Sequence, residues 1–218
     1  TDGEMSKPGH AVYLNERLEG FEPRPDQPEN RYSEEQEAFP EYYEDYFKRA
    51  MLGGAIAQSA PMYCVGPIRY VGHEALKTDL ENLRAALDEV DAVEAFMPCV
   101  APTGVGHNEF YATEEEYIFA VADALAEEYR GIVEAGFLLQ VDDPFLPDVY
   151  MDDALDDAAK AKKAGMYIEA INHCLKGIPP EKVRFHTCYG INAGPRVHEP
   201  GFPEMIDQVL KANVGAYS

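Results

Sequence analysis

The chain has 218 residues, of which 46% are hydrophobic and 27% are charged, a balance typical of one large globular domain or two small ones. Its 40 acidic and 18 basic residues give a formal net charge of −22. So acidic a surface repels phosphate backbones and anionic lipids, which argues against nucleic acid or a membrane as a partner. The oligomeric state is left open by these numbers.

The four cysteines are scattered along the chain and form no disulfide framework. No apolar run has the length needed to cross a bilayer, so the sequence predicts a cytoplasmic protein in which cysteines are thiols or metal ligands. Burial as a small hydrophobic residue is the interpretation that best suits Cys64, Cys99 and Cys174.

The first sixty residues are rich in Pro, Glu and Tyr, unlike the rest of the chain. Residues 20–40 are predicted to form an extended acidic and Pro-rich loop, because proline limits regular structure. The loop is expected to run into a short helix. Aromatic residues are too frequent there for a disordered tract, so we expect this part to pack. They are Phe39, Tyr42, Tyr43, Tyr46 and Phe47.

From about residue 60 onward, short apolar segments alternate with longer amphipathic ones. Helical spacing of apolar residues predicts helices in "HEALKTDLENLRAALDEV", "TEEEYIFAVADALAEEYRGIVEAG", "DALDDAAKAKKAGMYIEAINHCLKGI" and "FPEMIDQVLKAN". Thr113 and Glu116 predict a capping box at the start of the second helix, and Gly136 predicts its end. Strands are predicted in "MYCVGPIRYVG", "VEAFMPCVAPTG", "FLLQVDDPF", "KVRFHTCYG" and "VGAYS".

Apolar strands separated by helices predict an α/β fold with a parallel sheet, either doubly wound or a (β/α)8 TIM barrel. No glycine-rich phosphate-binding loop follows any strand. Polar side chains at the carboxyl ends of several strands favour the barrel. They are Arg69, Gln140, Asp142, Asp143, His186 and Cys188. Counting "TDGE" as the end of an early strand gives about six of the eight strands of a barrel. Residues 1–218 are therefore predicted to be an incomplete segment of a single catalytic barrel domain, lacking strands at both ends.

His186 and Cys188 stand two apart at the end of a predicted strand, so both side chains point to one face. An imidazole and a thiolate suit zinc. The Cys-x-x-Cys pairs of structural zinc sites are absent, whereas a catalytic site needs three protein ligands and an open position. Ordinary core packing remains the alternative for both residues.

The stretch "LLQVDDPFLPD" places Gln140 and Asp142 on one face of the preceding strand, while Asp143 takes the other face or turns into the loop. One interpretation is a carboxylate that accepts a hydrogen bond from a substrate. The other is that Asp142 or Asp143 caps the following loop. Glu4 alone carries little signal beyond a solvated turn. The remaining histidines have no partner at ligand spacing, and we interpret them as surface or capping residues.

The segments "FHTCYG", "LLQVDDP" and "TDGE" occur in the order seen in cobalamin-independent methionine synthases. The chain resembles the catalytic C-terminal barrel of that family and its single-barrel relatives, which include epoxyalkane:coenzyme M transferase. The resemblance implies a zinc-dependent barrel that transfers a methyl or alkyl group to a thiol. It also implies His186 and Cys188 as the first two zinc ligands, with the remaining ligands beyond Ser218.

The resemblance further implies that Asp142 and Glu4 are catalytic-site carboxylates that bind the amino group of homocysteine, with Gln140 and Asp143 in the same substrate-binding motif. The chain departs from the synthase pattern at Asp143, where those enzymes have Glu, and at Asp2, where they have His. The implied partners are a small-molecule thiol and an alkyl donor, which could be folate-like.

Three other functions stay open at this point. In an epoxyalkane:coenzyme M transferase type of reaction the sulfonate tail of the thiol would need a cation, and Arg69 and Arg196 are the candidates. A metal-free barrel lyase, similar to the uroporphyrinogen decarboxylases, would not need His186 or Cys188. A non-enzymatic metal- or ligand-binding protein would surround its metal with four protein ligands.

Overall fold

The computed structural model of the protein describes residues 12–27, 33–52, 60–188 and 194–218. Within these ranges the chain has an α/β fold with two sheets, one of three strands and one of four. None of the helices in these ranges is both long and apolar enough to traverse a bilayer.

The strands, in chain order, are β1 (Leu18–Pro23), β2 (Met62–Tyr70), β3 (Phe96–Val100), β4 (His107–Asn108), β5 (Leu138–Asp142), β6 (Val183–His186) and β7 (Ala216–Tyr217). The α-helices are α1 (Ser33–Ala38), α2 (Pro40–Leu52), α3 (His73–Leu87), α4 (Glu114–Glu134), α5 (Leu146–Met151), α6 (Asp157–Cys174) and α7 (Phe202–Val209). Short 3-10 helices cover Val12–Glu16, Pro102–Gly104 and Pro180–Lys182.

The four-stranded sheet is parallel throughout, in the order β3-β5-β6-β7, which confirms the predicted parallel sheet. On one face of β5 and β6 the side chains are apolar and belong to the main core, with α4 packed against β3 and β5. These side chains are Leu139, Val141, Val183 and Phe185, each no more than 2% exposed. Because strand side chains alternate, the polar residues of β5 and β6 occupy the other face.

The strand β2 was expected in the parallel sheet, and this expectation is wrong. It lies in the second sheet, antiparallel to β1 and parallel to β4. The β1–β2 register shifts between Glu19 and Phe21. Gly20 lies at this shift with φ of +99°, and a Cβ there would come within 2.8 Å of the Pro67 carbonyl oxygen. Only glycine accepts both conditions, so the bend that pairs the two strands depends on Gly20.

The helix α4 begins and ends where its sequence signals predict. The Thr113 hydroxyl accepts a hydrogen bond from the Glu116 backbone N–H at 3.1 Å, and the Glu116 side chain accepts one from the Ala112 N–H. Gly136 follows the helix with φ of +94°. The reciprocal bond thus goes to Ala112, one residue before the helix cap, rather than to Thr113 as in the usual capping box.

Two other segments differ from their predictions. The helix predicted over residues 153–178 is shorter, because Asp156 caps its start by accepting from the Ala159 N–H at 2.8 Å. The helix α5 was not predicted, since six residues are too few to show a helical period.

The predicted loop over residues 20–40 contains regular structure at both of its ends. Strand β1 continues to Pro23 and helix α1 begins at Ser33, while residues 28–32 lie outside the described ranges. Of the aromatic residues expected to pack, Tyr43 does so, since it is 1% exposed and donates a hydrogen bond to the Pro195 carbonyl at 2.8 Å, whereas Phe39 is 38% exposed. In the described ranges the strands do not close into a barrel, so the complete (β/α)8 barrel and the single-domain boundary stay predictions.

A buried ion network joins the N-terminal segment to α3 and α4. Arg17 is 4% exposed and pairs with Asp79 at 2.5 Å and with Glu128 at 3.2 Å. Glu128 is fully buried and also accepts a hydrogen bond from the Tyr70 hydroxyl at 2.9 Å. Removing one member of such a network leaves a charge without its counter-charge in a site that water does not reach.

We expect Arg17→Met to lower the free energy of unfolding by about 3–5 kcal/mol, because Glu128 would remain buried without a counter-charge. The matched variant is Arg24→Met, which removes an exposed pair with Glu109 and should lower the free energy of unfolding much less than Arg17→Met. Urea denaturation of both variants makes the comparison. Equal effects would mean that the buried network contributes no more than a surface ion pair.

Among the described residues, five buried tyrosines have pKa values raised above the ordinary value, and burial is the largest cause for each; burial also raises the pKa of the half-buried Tyr150. A phenolate has to be desolvated to form inside the protein, so the neutral phenol is the stable folded form. Burial raises the pKa of Tyr13 and Tyr129 well above the ordinary value, and both lie nearly inaccessible to solvent in the core. The other three are Tyr70, Tyr117 and Tyr167.

We expect these five tyrosines to ionise only as the protein unfolds in alkali. Their folded pKa values lie above the unfolded value of about 10, so their contribution to stability is complete below that pH and is lost as the pH rises above it. Tyrosinate absorbance and far-ultraviolet circular dichroism, followed together in one pH titration, should change together for this group. Full tyrosinate absorbance with an unchanged dichroism spectrum would contradict the expectation.

Candidate functional site

A row of backbone hydrogen bonds crosses the carboxyl edge of the parallel sheet. The Ala101 N–H donates to the Asp142 carbonyl at 2.8 Å, and the Asp143 N–H donates to the His186 carbonyl at 2.9 Å. The Thr187 N–H then donates to the Ser218 carbonyl at 3.2 Å. The row therefore continues past the ends of β3, β5 and β6 and holds the first loop residues beside one another.

The predicted polar residues of β5 and β6 lie on one face of this sheet. Asp142 is paired with His186 and Gln140 with Arg184 in the parallel register, and paired residues point to the same side. The Gln140 Nε2 donates to the Asp142 Oδ1 at 2.6 Å, which confirms that these two share a face. Both are buried, Gln140 completely and Asp142 to 3% exposure. A carboxylate held by an amide thus lies beside an imidazole at the carboxyl edge.

The residue Arg184 occupies the same face one pair deeper than His186. Its guanidinium carbon lies 4.6 Å from the centre of the Phe96 ring, and its Nη2 donates to the Ser218 Oγ at 3.1 Å. The face is therefore polar along much of its depth and not only at the edge.

His186 and Cys188 are half-buried at the end of β6, and both ring nitrogens of His186 are shielded from solvent. Thr187 stands between them and donates its hydroxyl to the Asp143 carbonyl at 2.8 Å. His186, the last residue of β6, faces the polar side through its pairing with Asp142, and Cys188 follows two residues later, beyond the strand. The chemistry of an imidazole and a thiol fits zinc. Within the described part of the chain, no group of three or more possible ligands comes together, so a third ligand is not provided there.

Asp143 points away from the polar face, into the loop that follows β5. Its Oδ1 accepts from the Phe145 N–H at 3.0 Å, the Leu146 N–H at 3.1 Å and the Thr103 hydroxyl at 3.2 Å. The residue is fully buried, and this burial raises the pKa of its carboxyl group to about 6. Of the two interpretations that the sequence left open, the structure gives Asp143 the loop-capping contacts.

The remaining candidates lie elsewhere. Glu4, with Asp2, lies outside the described residues. Arg69 belongs to the other sheet, where its side chain is 72% exposed and pairs with Glu19. The prediction that three cysteines are buried is confirmed, since Cys64, Cys99 and Cys174 are at most 1% exposed. Among the other histidines in the described ranges, carboxylates pair with His73, His173 and His198.

Thr103, Thr187 and Arg184 also lie at or near this edge and were not predicted there. Thr103 lies in the 3-10 helix three residues after the end of β3, near the edge where polar residues of a parallel sheet meet, so the same rule could have found it. Arg184 stands two residues before His186 in "KVRFHTCYG" and therefore shares its face, while Thr187 follows His186 directly; their spacing alone does not indicate a role.

A cavity of about 380 Å³ opens next to the loop that holds Thr103. Its lining is mainly apolar and comes from the N-terminal segment, the start of β2, the residues after β3 and Phe145; it includes Leu14, Leu18, Phe21, Met62, Val105 and Phe145. A cavity of this size accommodates a small organic molecule. The cavity lies beside the loop after β3, and its lining includes none of Gln140, Asp142, His186 or Cys188.

No protein-family model matches the chain. A methionine synthase from Saccharolobus islandicus is 29% identical over 85 residues, which are 38% of this chain and 22% of that protein. A methionine synthase from Sulfolobus acidocaldarius is 22% identical over 191 residues, which are 87% of this chain and 45% of that protein. The chain spans less than half the length of these two relatives in the matched regions.

Among solved structures, a B12-independent methionine synthase from Shewanella sp. W3-18-1, in complex with selenomethionine, is similar with a TM-score of 0.59. The match covers 99% of this chain and 55% of that chain at 17% sequence identity. At this identity the similarity shows a shared fold.

We expect Gln140→Leu to lower the free energy of unfolding by about 1–3 kcal/mol, because the buried Asp142 would lose the amide that donates to it. Gln208→Leu on α7 is the matched control, since that amide oxygen accepts from Lys211 at the surface. Chemical denaturation measures both. A Gln140→Leu protein as stable as the parent would show that the hydrogen bond to Asp142 has no net effect on folding.

Proposed function

We propose that the protein is a zinc-dependent methyltransferase that alkylates a thiol, with homocysteine as the acceptor, and that its chain forms part of a (β/α)8 barrel domain. The observation that carries the proposal is the parallel register that pairs Asp142 with His186 on the polar face of the sheet. The similarity in sequence and fold to methionine synthases supports it.

In this proposal His186 and Cys188 hold the zinc ion, together with ligands from outside the described residues. A zinc ion bound there would keep the acceptor thiol as its thiolate at neutral pH, where a free thiol is only a few per cent ionised. His186 is suited to this role because its ring nitrogens are shielded from water, and its backbone is fixed by the hydrogen bond from Asp143.

Asp142 is proposed to accept a hydrogen bond from the ammonium group of the amino-acid acceptor. Gln140 holds the Asp142 carboxylate through its amide, so that one oxygen is oriented before substrate arrives. Glu4 is proposed as the second carboxylate on the strength of the family resemblance. With its ammonium group held, the acceptor can present its sulfur toward the end of β6.

The chemical step is a displacement at carbon. The sulfur of the acceptor forms a bond to the methyl carbon while the bond from that carbon to the donor breaks, and the donor keeps the bonding electrons and takes up a proton. A folate-like donor would lose the methyl from nitrogen. The side chains described here bind and orient the acceptor, which favours the displacement by fixing the direction of attack.

The polar face favours an acceptor with an ammonium group over one with a sulfonate. Asp142 lies at the carboxyl edge, whereas Arg69, one of the two candidate cations, lies in the other sheet and is mostly exposed. The other candidate, Arg196, is half-buried in the segment between β6 and α7. Arg184 does share the face, but it lies one pair deeper and is stacked on Phe96. An amino-acid thiol is therefore the acceptor we propose.

We expect the full-length protein, with the ligands that the family resemblance places beyond Ser218, to bind about one zinc ion. His186→Ala or Cys188→Ala should weaken zinc binding by more than about 100-fold, since removing a ligand should have a larger effect than removing a residue that only contacts a ligand. Metal analysis and competition with a chromogenic chelator measure this. X-ray absorption at the zinc edge should then gain a sulfur ligand when homocysteine is added.

Two variants serve as controls for the loss of an imidazole or a thiol elsewhere. His73 is 66% exposed, so His73→Ala should leave zinc binding unchanged. In Cys64→Ser the hydroxyl can keep the hydrogen bond to the Gly66 carbonyl. Absence of zinc from the parent protein, or full zinc binding in both site variants, would rule out the metal centre. A sulfur signal with coenzyme M and not with homocysteine would rule out the proposed acceptor.

A further inference from the structure

Asp143 stands where the ends of three strands meet, and its contacts reach all three loops. Its carboxylate accepts from Thr103 after β3 and from Phe145 and Leu146 after its own strand. Its backbone N–H and carbonyl bond the His186 carbonyl and the Thr187 hydroxyl, respectively, after β6.

We infer that Asp143 is a positioning residue, which fixes the end of β6 and the loop after β3 relative to Asp142 and does not itself bind substrate. Its side chain is fully buried and directed away from the polar face that carries Asp142, so a substrate held there does not meet it. This role deepens the proposed function and rests on it for the metal-binding part of the test.

Asp143 connects the three loops through direct hydrogen bonds. The carboxylate determines where Thr103 and the first turn of α5 lie. The main chain of Asp143 makes two hydrogen bonds to this segment: its N–H donates to the His186 carbonyl, and its carbonyl accepts from the Thr187 hydroxyl. His186 and Cys188 flank Thr187, so a shift of Asp143 moves both candidate ligands relative to the rest of the edge. Outer-shell contacts of this kind orient ligands and cost about 10- to 100-fold in metal affinity or activity when removed.

The geometry also explains the packing of the loop after β3. Gly104 lies so close to the Phe145 ring that a Cβ on it would overlap the ring. The loop therefore packs against Phe145, whose backbone N–H donates to Asp143. Asp143 and Phe145 together fix the loop from two sides, and the cavity beside it is lined by Thr103, Gly104 and Phe145.

Thr103→Val is the sharpest test, since it removes one hydroxyl while leaving the backbone contacts of Asp143 in place. Asp143→Ala removes the whole carboxylate. Asp143→Asn should keep the exchange rates and zinc affinity of the parent, because its amide oxygen can keep the Oδ1 contacts. In the metal-free full chain we expect the Asp143 and Thr187 amides to exchange hydrogen about tenfold faster in Thr103→Val and Asp143→Ala than in the parent or Asp143→Asn. Zinc affinity should fall by about tenfold in the same two variants.

Asp156→Ala is the matched control, because Asp156 also accepts from a backbone N–H at the start of a helix, but that helix is α6 rather than a loop after β3 or β6. It should lose global stability while its Asp143 and Thr187 amides exchange at the parent rate. Parent-like exchange in Thr103→Val and Asp143→Ala, or equal acceleration in Asp156→Ala, overturns the positioning role. A parent protein without zinc defeats the proposed function alone, since the exchange measurement needs no metal.

Discussion

The hydrogen-bonded register between β5 and β6 is the constraint on which the candidate site depends. It pairs Asp142 with His186 and Gln140 with Arg184, so four polar side chains share one face. A slip of one residue would exchange the faces and place Asp142 among the core residues that now surround Val141. The apolar face packed by α4 therefore fixes the register, and the register in turn determines which side chains meet at the carboxyl edge.

The element order from residue 60 onward could be predicted because apolar spacing and capping residues are local signals. Helix α4 starts after Thr113 and ends before Gly136, as its sequence indicates. Strand pairing is not local, and the placement of β2 beside β1 depends on the bend at Gly20 and on contacts with residues far along the chain. Strand β1 itself, "LEGFEP", has no clear alternation and carries a proline, so its sequence resembles a loop.

At the site, the shared face of Gln140 and Asp142 followed from their spacing, and the hydrogen bond between them confirms it. The opposite direction of Asp143 was one of two outcomes that spacing allowed, because a residue just past a strand can continue the pleat or turn. Which outcome occurs depends on Thr103, whose position only the folded chain determines. The sequence thus indicates residue types at an edge, whereas the partner of each residue is a property of the three-dimensional structure.

The buried pair of Arg17 and Glu128 has a consequence for synthesis on the ribosome. Arg17 emerges long before Glu128 has been translated, and a guanidinium does not shed its proton to become easier to bury. The N-terminal strand can therefore reach its final position only after α4 exists. Until Glu128 has been made, the nascent segment that carries Arg17 stays exposed to solvent, where chaperones and proteases can reach it.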